Sequence, residues 1–248
     1  MKISIITVAY NNQKYVGECI ESVLNQTHHD IEYIVIDGAS TDGTLDVINK
    51  YKDRIFKIVS EPDKGIYDAI NKGIDLATGD IIGILNSDDM YASDMVLERV
   101  NSAFESSGAQ SCYGDLVYVS QDKSRVIRYW KSGEYNEELI MKGWMPPHPT
   151  FFVKRVIYDR LGRFNTDLKI AADYDLILRF MAKGGITTFY LPEVLVNMRI
   201  GGHSNRSIKN IALKMKEDWS IMKSNGLTNP SMALLYKNFS KVGQFFRN

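Results

Sequence analysis

Cysteine is scarce: only Cys19 and Cys112 occur in 248 residues. That excludes a disulfide framework and a paired-cysteine metal site, and both thiols read as reduced. No apolar run approaches the ~18 to 20 residues of a membrane span. The opening run Ile3 to Tyr10 is too short for a secretory h-region, and it ends in Asn11-Asn12 rather than a small-residue cleavage site. The expectation is a chain that stays in the cytoplasm. A net charge is missing as well. Thirty basic residues cancel thirty acidic ones, which argues against a generic polyanion binder and against nucleic acid as a partner. Glycine is absent from the first strand-to-helix turn, Ala9-Tyr10-Asn11-Asn12-Gln13-Lys14. Neither GxGxxG nor GxxxxGK[ST] stands there, so a dinucleotide oxidoreductase or a P-loop NTPase is disfavoured.

What is present is an ordinary globular composition, 44% hydrophobic and 24% charged, enough for a large core without staples. The first ninety residues alternate. Apolar runs at Ile3 to Val8, Ile31 to Ile36, Ile55 to Val59 and Ile81 to Leu85 read as buried strands. Helical spacing lies between them, as in Val16, Ile20, Val23 and Leu24, then Leu45, Ile48 and Tyr51, then Ile66, Ile70 and Ile74. Such alternation predicts an α/β fold, a Rossmann-type α/β/α sandwich around a mostly parallel central sheet. Beyond residue 90 the beat changes. Met95 to Phe104 and Tyr174 to Met181 read as helices. Ser111 to Val119 and Arg125 to Trp130 read as an antiparallel pair. Thr150 to Val153, Thr187 to Leu191 and Val194 to Ile200 read as further strands. The expected division is one domain over 1–205, with a nucleotide-binding half at 1–90 and an acceptor and catalytic half at 91–205, then an amphipathic helical tail at 206–248.

In parallel sheets, ligands bind at the carboxyl ends of strands. Acids gather there. Asp37 closes the second strand, where a carboxylate accepts from a ribose hydroxyl or a base N–H, or else serves an Asp-Gly turn. Asp42 reads as a helix cap. Asn86-Ser87-Asp88-Asp89 follows the fourth strand. Two adjacent carboxylates there are costly to bury unless paired or metal-bound, and hard oxygen ligands suit Mg²⁺ or Mn²⁺ bridging a diphosphate.

Together these segments resemble the family 2 inverting glycosyltransferases of GT-A fold. The matching blocks are Thr7-Val8-Ala9-Tyr10-Asn11, Asp37-Gly38-Ala39-Ser40-Thr41-Asp42-Gly43-Thr44, Glu61 to Gly73, Asn86-Ser87-Asp88-Asp89 and Ala172-Asp173-Tyr174-Asp175-Leu176. The likeness covers roughly residues 1 to 205 and is tightest over the first ninety. Three positions depart from the family pattern. Ala9 stands in a region that usually carries a proline, Asn86 replaces the first acid of the DXD-type motif, and Ala172 precedes Asp173 where Glu-Asp is common.

The resemblance implies a donor site for a nucleotide diphosphate sugar, UDP favoured, made by Thr7, Ala9, Tyr10, Asn11, Asp37, Lys64, Asp68, Lys72, Asn86, Ser87 and Asp88. It implies a divalent Mn or Mg ion on Asp89 and a general base at Asp173. Asp175 is the alternative base, but it has Arg179 at i+4 as an ion-pair partner. Tyr10 either stacks on the base or packs. Lys64, Lys72 and Arg199 either neutralise phosphates or are solvated. On the acceptor side, Trp144 is a sugar platform or core. His148 touches acceptor or leaving group, or has no role. His203 is a metal ligand, or its glycine neighbours serve a lid. Implied acceptors are oligosaccharides or polyprenyl-diphosphate-linked sugars of bacterial O-antigen, capsule or exopolysaccharide assembly.

The tail carries eight Lys or Arg against Glu217 and Asp218. Ile208, Ile211, Ala212, Met215, Trp219 and Met222 form one helical stripe; Met232, Leu235, Phe239, Val242, Phe245 and Phe246 suggest another. Both read either as faces packed on the core or a partner subunit, as in a homodimer, or as a basic face on an anionic membrane. Two other functions fit parts of the pattern. A sugar-nucleotide-forming nucleotidyltransferase needs a glycine-rich, basic first loop, which is missing; a non-catalytic nucleotide- or glycan-binding module needs no base.

Overall fold

The computed structural model describes residues 1–201, 208–227 and 229–239. Nine strands and nine α-helices follow in chain order: β1 (Ile3–Ala9), α1 (Val16–Leu24), β2 (Ile31–Asp37), α2 (Thr44–Asn49), β3 (Lys57–Ser60), α3 (Ile66–Leu76), β4 (Ile81–Asn86), β5 (Met90–Tyr91), α4 (Val96–Ser107), β6 (Ser111–Val119), β7 (Val126–Trp130), α5 (Glu137–Met141), β8 (Phe152–Lys154), α6 (Arg155–Leu161), α7 (Ala172–Leu178), β9 (Thr188–Arg199), α8 (Ile208–Ser224) and α9 (Pro230–Phe239). The strands form one sheet in the order β3-β2-β1-β4-β8-β6-β9-β5, with β7 added to β6. β1 to β4 are mutually parallel, and β6 with β9 is parallel; β4–β8, β8–β6, β6–β7 and β5–β9 are antiparallel.

Period-two alternation in β1 builds the sandwich. Ile3, Ile5 and Ala9 enter a core shared with Val16, Ile20 and Val23 of α1 and Leu97 and Val100 of α4. Ile6 and Val8 enter the opposite core, with Ile70 and Ile74 of α3, Tyr174 and Ile177 of α7, and Ile221 and Met222 of α8. α3 lies so close to β1 that a Cβ at Gly73 would collide with Ile6.

Some sequence expectations shift. The segments expected as strands over Thr187 to Leu191 and Val194 to Ile200 are one strand, β9. Its register against β6 jumps from Tyr113↔Tyr190 to Asp115↔Val194, so a bulge around Pro192 absorbs the extra residues without ending the pairing. The third strand starts at Lys57 rather than Ile55, and β8 starts at Phe152 because His148–Thr150 form a 3₁₀ turn. The helix expected over Tyr174 to Met181 divides into α7 and a π-helical turn, Arg179–Lys183.

The tail helices also differ from their sequence pattern. The expected α8 stripe divides: Met222 is buried, whereas Ile211, Met215 and Trp219 are exposed, as are Met232 and Leu235 of α9. The other inward positions go to Glu217, Asp218, Ile221, Ala233 and Lys237. The acids hold these positions because each finds charged or N–H partners there, so their desolvation is compensated. Ile208, Phe239, Val242, Phe245 and Phe246 of the predicted stripes have side chains outside the described set.

Glu32 ties the sheet's amino-terminal edge together. Its buried carboxylate accepts from Lys2 Nζ (2.8 Å), Ser4 Oγ (2.6 Å), and Thr78 N and Oγ1 (2.7 and 2.6 Å). Burial pushes its pKa up, but these donors, Lys2 first, outweigh burial and hold it at about 2. The folded value lies below the unfolded one of about 4.3, so this stabilisation is full above the unfolded value and is lost as pH falls through about 2. Glu32→Gln is expected to lower unfolding free energy by about 3 kcal/mol at pH 7. Urea denaturation at pH 7 and pH 3 checks this, the gap between wild type and variant narrowing at the lower pH.

Candidate active site

The parallel half fixes the site by register. Ala9 lies opposite Asp37 across β1 and β2, and Val8 lies opposite Asn86 across β1 and β4. The three loops leaving these strands therefore share one edge. They are laced together: Asn11 N donates to Ser40 Oγ (2.9 Å) and Asn11 Oδ1 accepts from Thr41 N (2.9 Å). Asn12 N donates to Thr44 Oγ1 (2.7 Å), and its side-chain amide donates to Ser87 Oγ (2.9 Å). Asp42 accepts from Thr44 N at the start of α2 and also from Gln13 N, so the expected cap bridges two loops.

Within this edge the expected donor residues divide. Tyr10 stands on the rim, 67% exposed. It borders Gly38, where any Cβ would strike Asp63 and the Tyr10 ring, so the glycine permits that close approach. Asn11, at φ +48°, is exposed and braces the loop. Ala9 is buried and contributes its carbonyl to Gly38 N (2.9 Å). Thr7 is wholly buried, accepts from Tyr33 OH (3.1 Å) and lies against Cys19. Asp37 is also wholly buried, its oxygens taken by Ser40 N, Ser40 Oγ and Ser60 Oγ (2.6 Å for the last). The turn role matches this geometry.

The third block is self-bracing. Asp68 Oδ2 accepts from Lys64 N (3.0 Å). Lys72 Nζ pairs with Glu61 (2.8 Å) and donates to the Pro62 carbonyl (2.9 Å), so its charge is spent on its own loop. Glu61, then the nearby Asp68 and Asp63, hold its pKa above the usual lysine value. Lys64 is exposed.

The Asn86–Asp89 turn is the most constrained part. Ser87 is buried; Asp88 is half-buried; Asp89 is completely buried. Asp89 Oδ1 accepts from Arg199 N (3.2 Å) and Oδ2 from the Asn86 side-chain amide (3.3 Å). Burial, then the neighbouring Asp88 charge, push the Asp89 pKa well above the carboxylate range. The metal expectation rested on Asp89, yet both of its oxygens face inward to protein donors. Asn86 Oδ1 is buried with no partner in the structure.

Arg199 lies beneath this turn. Rather than a solvent-facing cation for phosphates or acceptor, it is 3% exposed and clamps the turn. Its Nη1 donates to the Asp88 carbonyl (2.8 Å), Nη2 pairs with Glu18 (2.7 Å), Nε reaches the Gln121 carbonyl (3.3 Å), and the plane lies 4.6 Å from the Tyr15 ring centre.

Across the sheet stands Asp173, the second residue of α7, with Oδ2 3.4 Å from His148 Nδ1. Behind the pair is a small apolar pocket walled by Ile84, Phe151, Tyr158, Phe164, Leu176 and Ile177. Burial pushes the Asp173 pKa up, but His148, through its hydrogen bond and charge, with help from Lys237 and Lys214, brings it down to about 2. Asp175 is engaged elsewhere, with Arg179 Nη2 (3.5 Å) and Asn225 Nδ2 (3.4 Å). Trp144 is half-buried in an aromatic cluster, edge-on to Tyr113 at 5.8 Å and tilted against Tyr135 at 6.3 Å. His203 lies outside the described residues.

Sequence reasoning missed several members. Tyr118 on β6 has its pKa raised by burial first and then by the charges of both Asp89 and Asp173, with Arg128 opposing, so its hydroxyl feels both acidic groups. The Arg128 guanidinium lies 4.8 Å from the Tyr118 ring centre. Asp115 is buried and accepts from Tyr129 OH (2.6 Å), Tyr190 OH (2.8 Å) and Ser132 N (2.8 Å). An acid inside the apolar run Ser111 to Val119 was the available signal, since it needs partners to be buried. Glu217 had no local signal.

The sequence model described as "Glycosyl transferase family 2" matches residues 4–162. A PGL/p-HBAD biosynthesis glycosyltransferase of Mycobacterium tuberculosis is 28% identical over 216 residues, 85% of this chain and 82% of that protein. Chondroitin synthase of Pasteurella multocida is 30% identical over 222 residues, 89% of this chain but only 23% of its own length. Among solved structures, S. aureus TarS 1-349 in complex with UDP-GlcNAc superposes with a TM-score of 0.71 at 17% identity, covering 97% of this chain and 73% of that one. The family match over more than half the sequence, carried on a GT-A-like sheet of the same architecture, means that this chain belongs to glycosyl transferase family 2 and is a glycosyltransferase.

Proposed function

We propose that the chain transfers a sugar from a nucleotide diphosphate donor, UDP favoured, to a saccharide acceptor with inversion at the anomeric carbon. The observation that carries this reading is the shared strand-end edge of β1, β2 and β4, where Asn12 of the first loop bonds Ser87 of the acidic Asn86–Asp89 turn. The nucleotide belongs at the laced edge of β1, β2 and β4, where exposed Tyr10 offers a stacking face. UDP is supported by the UDP-GlcNAc complex of S. aureus TarS. A polysaccharide or lipid-linked acceptor is supported by the likeness to chondroitin synthase.

The oxygen donors around Asn86 suit a hard divalent cation, Mn²⁺ or Mg²⁺. The Asn86 amide oxygen is buried without a partner, and burial, then the neighbouring Asp88, raises the Asp89 pKa. Among the described residues no three His, Cys, Asp or Glu side chains gather as a metal cluster. We therefore assign the cation to Asp88, the less buried acid, with Asn86 beside it and the donor's phosphates completing the shell. Asp89 braces the turn from beneath. When bound, such an ion neutralises charge on the departing diphosphate.

Asp173 accepts the proton of the acceptor hydroxyl as that oxygen attacks the anomeric carbon. Held at about 2 by His148, it is ionised across the working pH range. Single in-line displacement opposite the leaving nucleotide inverts the centre. Trp144, in its cluster with Tyr113 and Tyr135, offers an aromatic wall on the acceptor side.

No helix among the described residues is long and apolar enough to cross a membrane. The outward stripe Ile211, Met215 and Trp219 with exposed Lys216 and Lys223 suits contact with an anionic membrane surface, where a lipid-linked acceptor at the cytoplasmic face would be met.

The function is tested by calorimetry of UDP-, GDP- and dTDP-sugars with Mn²⁺, paired with turnover. The expected outcome is binding of one UDP-sugar that Asp88→Asn weakens. Asp173→Asn should keep donor affinity but lose about 10²- to 10⁴-fold in transfer. Donor binding without turnover in wild type supports a binding module, and diphosphate release from UTP and a sugar phosphate supports a nucleotidyltransferase. For the membrane contact, Met215→Ser with Trp219→Ser should reduce sedimentation with phosphatidylglycerol vesicles; equal sedimentation of both proteins removes the proposal.

A further inference from the structure

Glu217 lies 44 residues beyond Asp173 in sequence, yet it holds the chain that leads into the base. Its Oε1 accepts from Lys169 N (2.8 Å), and its Oε2 accepts from Ile170 N and Ala171 N (3.0 Å each). Ala171 is the residue that opens α7, and Asp173 is that helix's second residue. Three consecutive backbone N–H groups converging on one carboxylate form an anion-binding concavity, filled here by a side chain from a distant helix. The carboxylate is nearly buried, so charge-assisted hydrogen bonds in this setting are stronger than neutral ones. The same loop is held from the opposite side by Tyr67 OH, which donates to the Ile170 carbonyl (2.6 Å).

The residue after the base is fixed by the same pair of helices. Asp218 of α8 pairs with Lys237 of α9 at 2.8 Å, both side chains under 5% exposed, and the Lys237 ammonium sits 3.2 Å from the Tyr174 ring centre. α8 and α9 therefore grip the backbone before Asp173 and the side chain after it. A helix added only to meet a membrane or a partner has no need to turn two acids inward in succession. The inward turn of Glu217 and Asp218, with Met215 and Trp219 left outside, follows from this grip.

We infer that Glu217 is a positioning residue for the reaction: it sets the entry of α7 and so the placement of the Asp173 carboxylate against the acceptor hydroxyl. The inference rests on the reading of Asp173 as base. Because the nucleotide edge of β1, β2 and β4 makes none of the hydrogen bonds to Glu217, loss of this carboxylate changes the chemical step and leaves donor binding alone. Misplacement of a catalytic group by a fraction of an ångström to an ångström costs about 10- to 100-fold in rate.

The test compares wild type, Glu217→Gln, Glu217→Asp and Asp173→Asn in UDP release from whichever of UDP-N-acetylglucosamine, UDP-glucose or UDP-galactose the calorimetric panel selects, with Mn²⁺. Glu217→Gln keeps one acceptor oxygen but turns an amide donor toward N–H groups. Its kcat should fall about 10- to 100-fold while donor KM and UDP affinity stay within twofold. Glu217→Asp, which keeps the charge on a shorter arm, should recover part of that loss. If Glu217→Gln does not fold, Tyr67→Phe, which frees the same loop at the Ile170 carbonyl without changing a charge, should show the same kcat-only loss. A kcat equal to wild type, or a parallel fall in kcat and donor affinity, overturns the inference while an inactive Asp173→Asn preserves the reading of the base. Wild-type turnover by Asp173→Asn overturns both.

Discussion

A buried arginine organises the nucleotide side of this protein. Arg199, at the last position of β9, sends its guanidinium to the Asp88 carbonyl, Glu18 and the Gln121 carbonyl, while its own N–H reaches Asp89. Those contacts connect the end of the second half of the sheet to α1, to the β6–β7 connection and to the acidic turn after β4. A guanidinium with five donors in fixed directions satisfies such a junction where an ammonium would leave acceptors unmet. The turn it holds carries two neighbouring acids, one of them completely buried. Burial, then Asp88, keeps the Asp89 pKa well above the carboxylate range, and the guanidinium anchors the turn through the Asp88 backbone carbonyl.

The acceptor side is organised by the opposite device, a carboxylate among N–H groups. Glu217 fills the concavity before α7, His148 faces Asp173 from the 3₁₀ turn, and Lys237 lies over Tyr174. In each half, then, a buried charged group holds the backbone that carries an acid: Arg199 at the Asn86–Asp89 turn and Glu217 before Asp173. This separation of placement from chemistry accounts for the number of buried charged groups outside the cleft. Each is paired or hydrogen-bonded, as burial of charge requires.

Much of the first half was legible in the sequence. The β-branched runs of β1, β2 and β4 are buried on both faces, so their apolar pattern is continuous and their ends fall where turn residues begin. The acidic segments at those ends were equally visible, because parallel topology leaves ligands only one edge. What sequence could not give was which way a polar side chain turns. Thr7 and Asp37 sit in signature blocks yet are consumed by Tyr33, Ser40 and Ser60; Lys72 is consumed by Glu61. Pro192 looked like a strand end, but a parallel partner with a register jump carried β9 past it. The tail's inward residues were hidden for a similar reason. Periodicity left Met215 and Trp219 open between a packed and an outward face, and Glu217 has partners 46 to 48 residues away that no local pattern announces.

The central claim is that the acidic turn and Asp173 flank one donor cleft. The most direct measurement is a crystal structure of the wild-type protein soaked with Mn²⁺ and a UDP-sugar. The account predicts anomalous density beside Asp88 and Asn86 in contact with the diphosphate, and an anomeric carbon whose open face points toward Asp173. A diphosphate bound away from the Asn86–Asp89 turn, or a sugar whose reactive face is turned from Asp173, would contradict it.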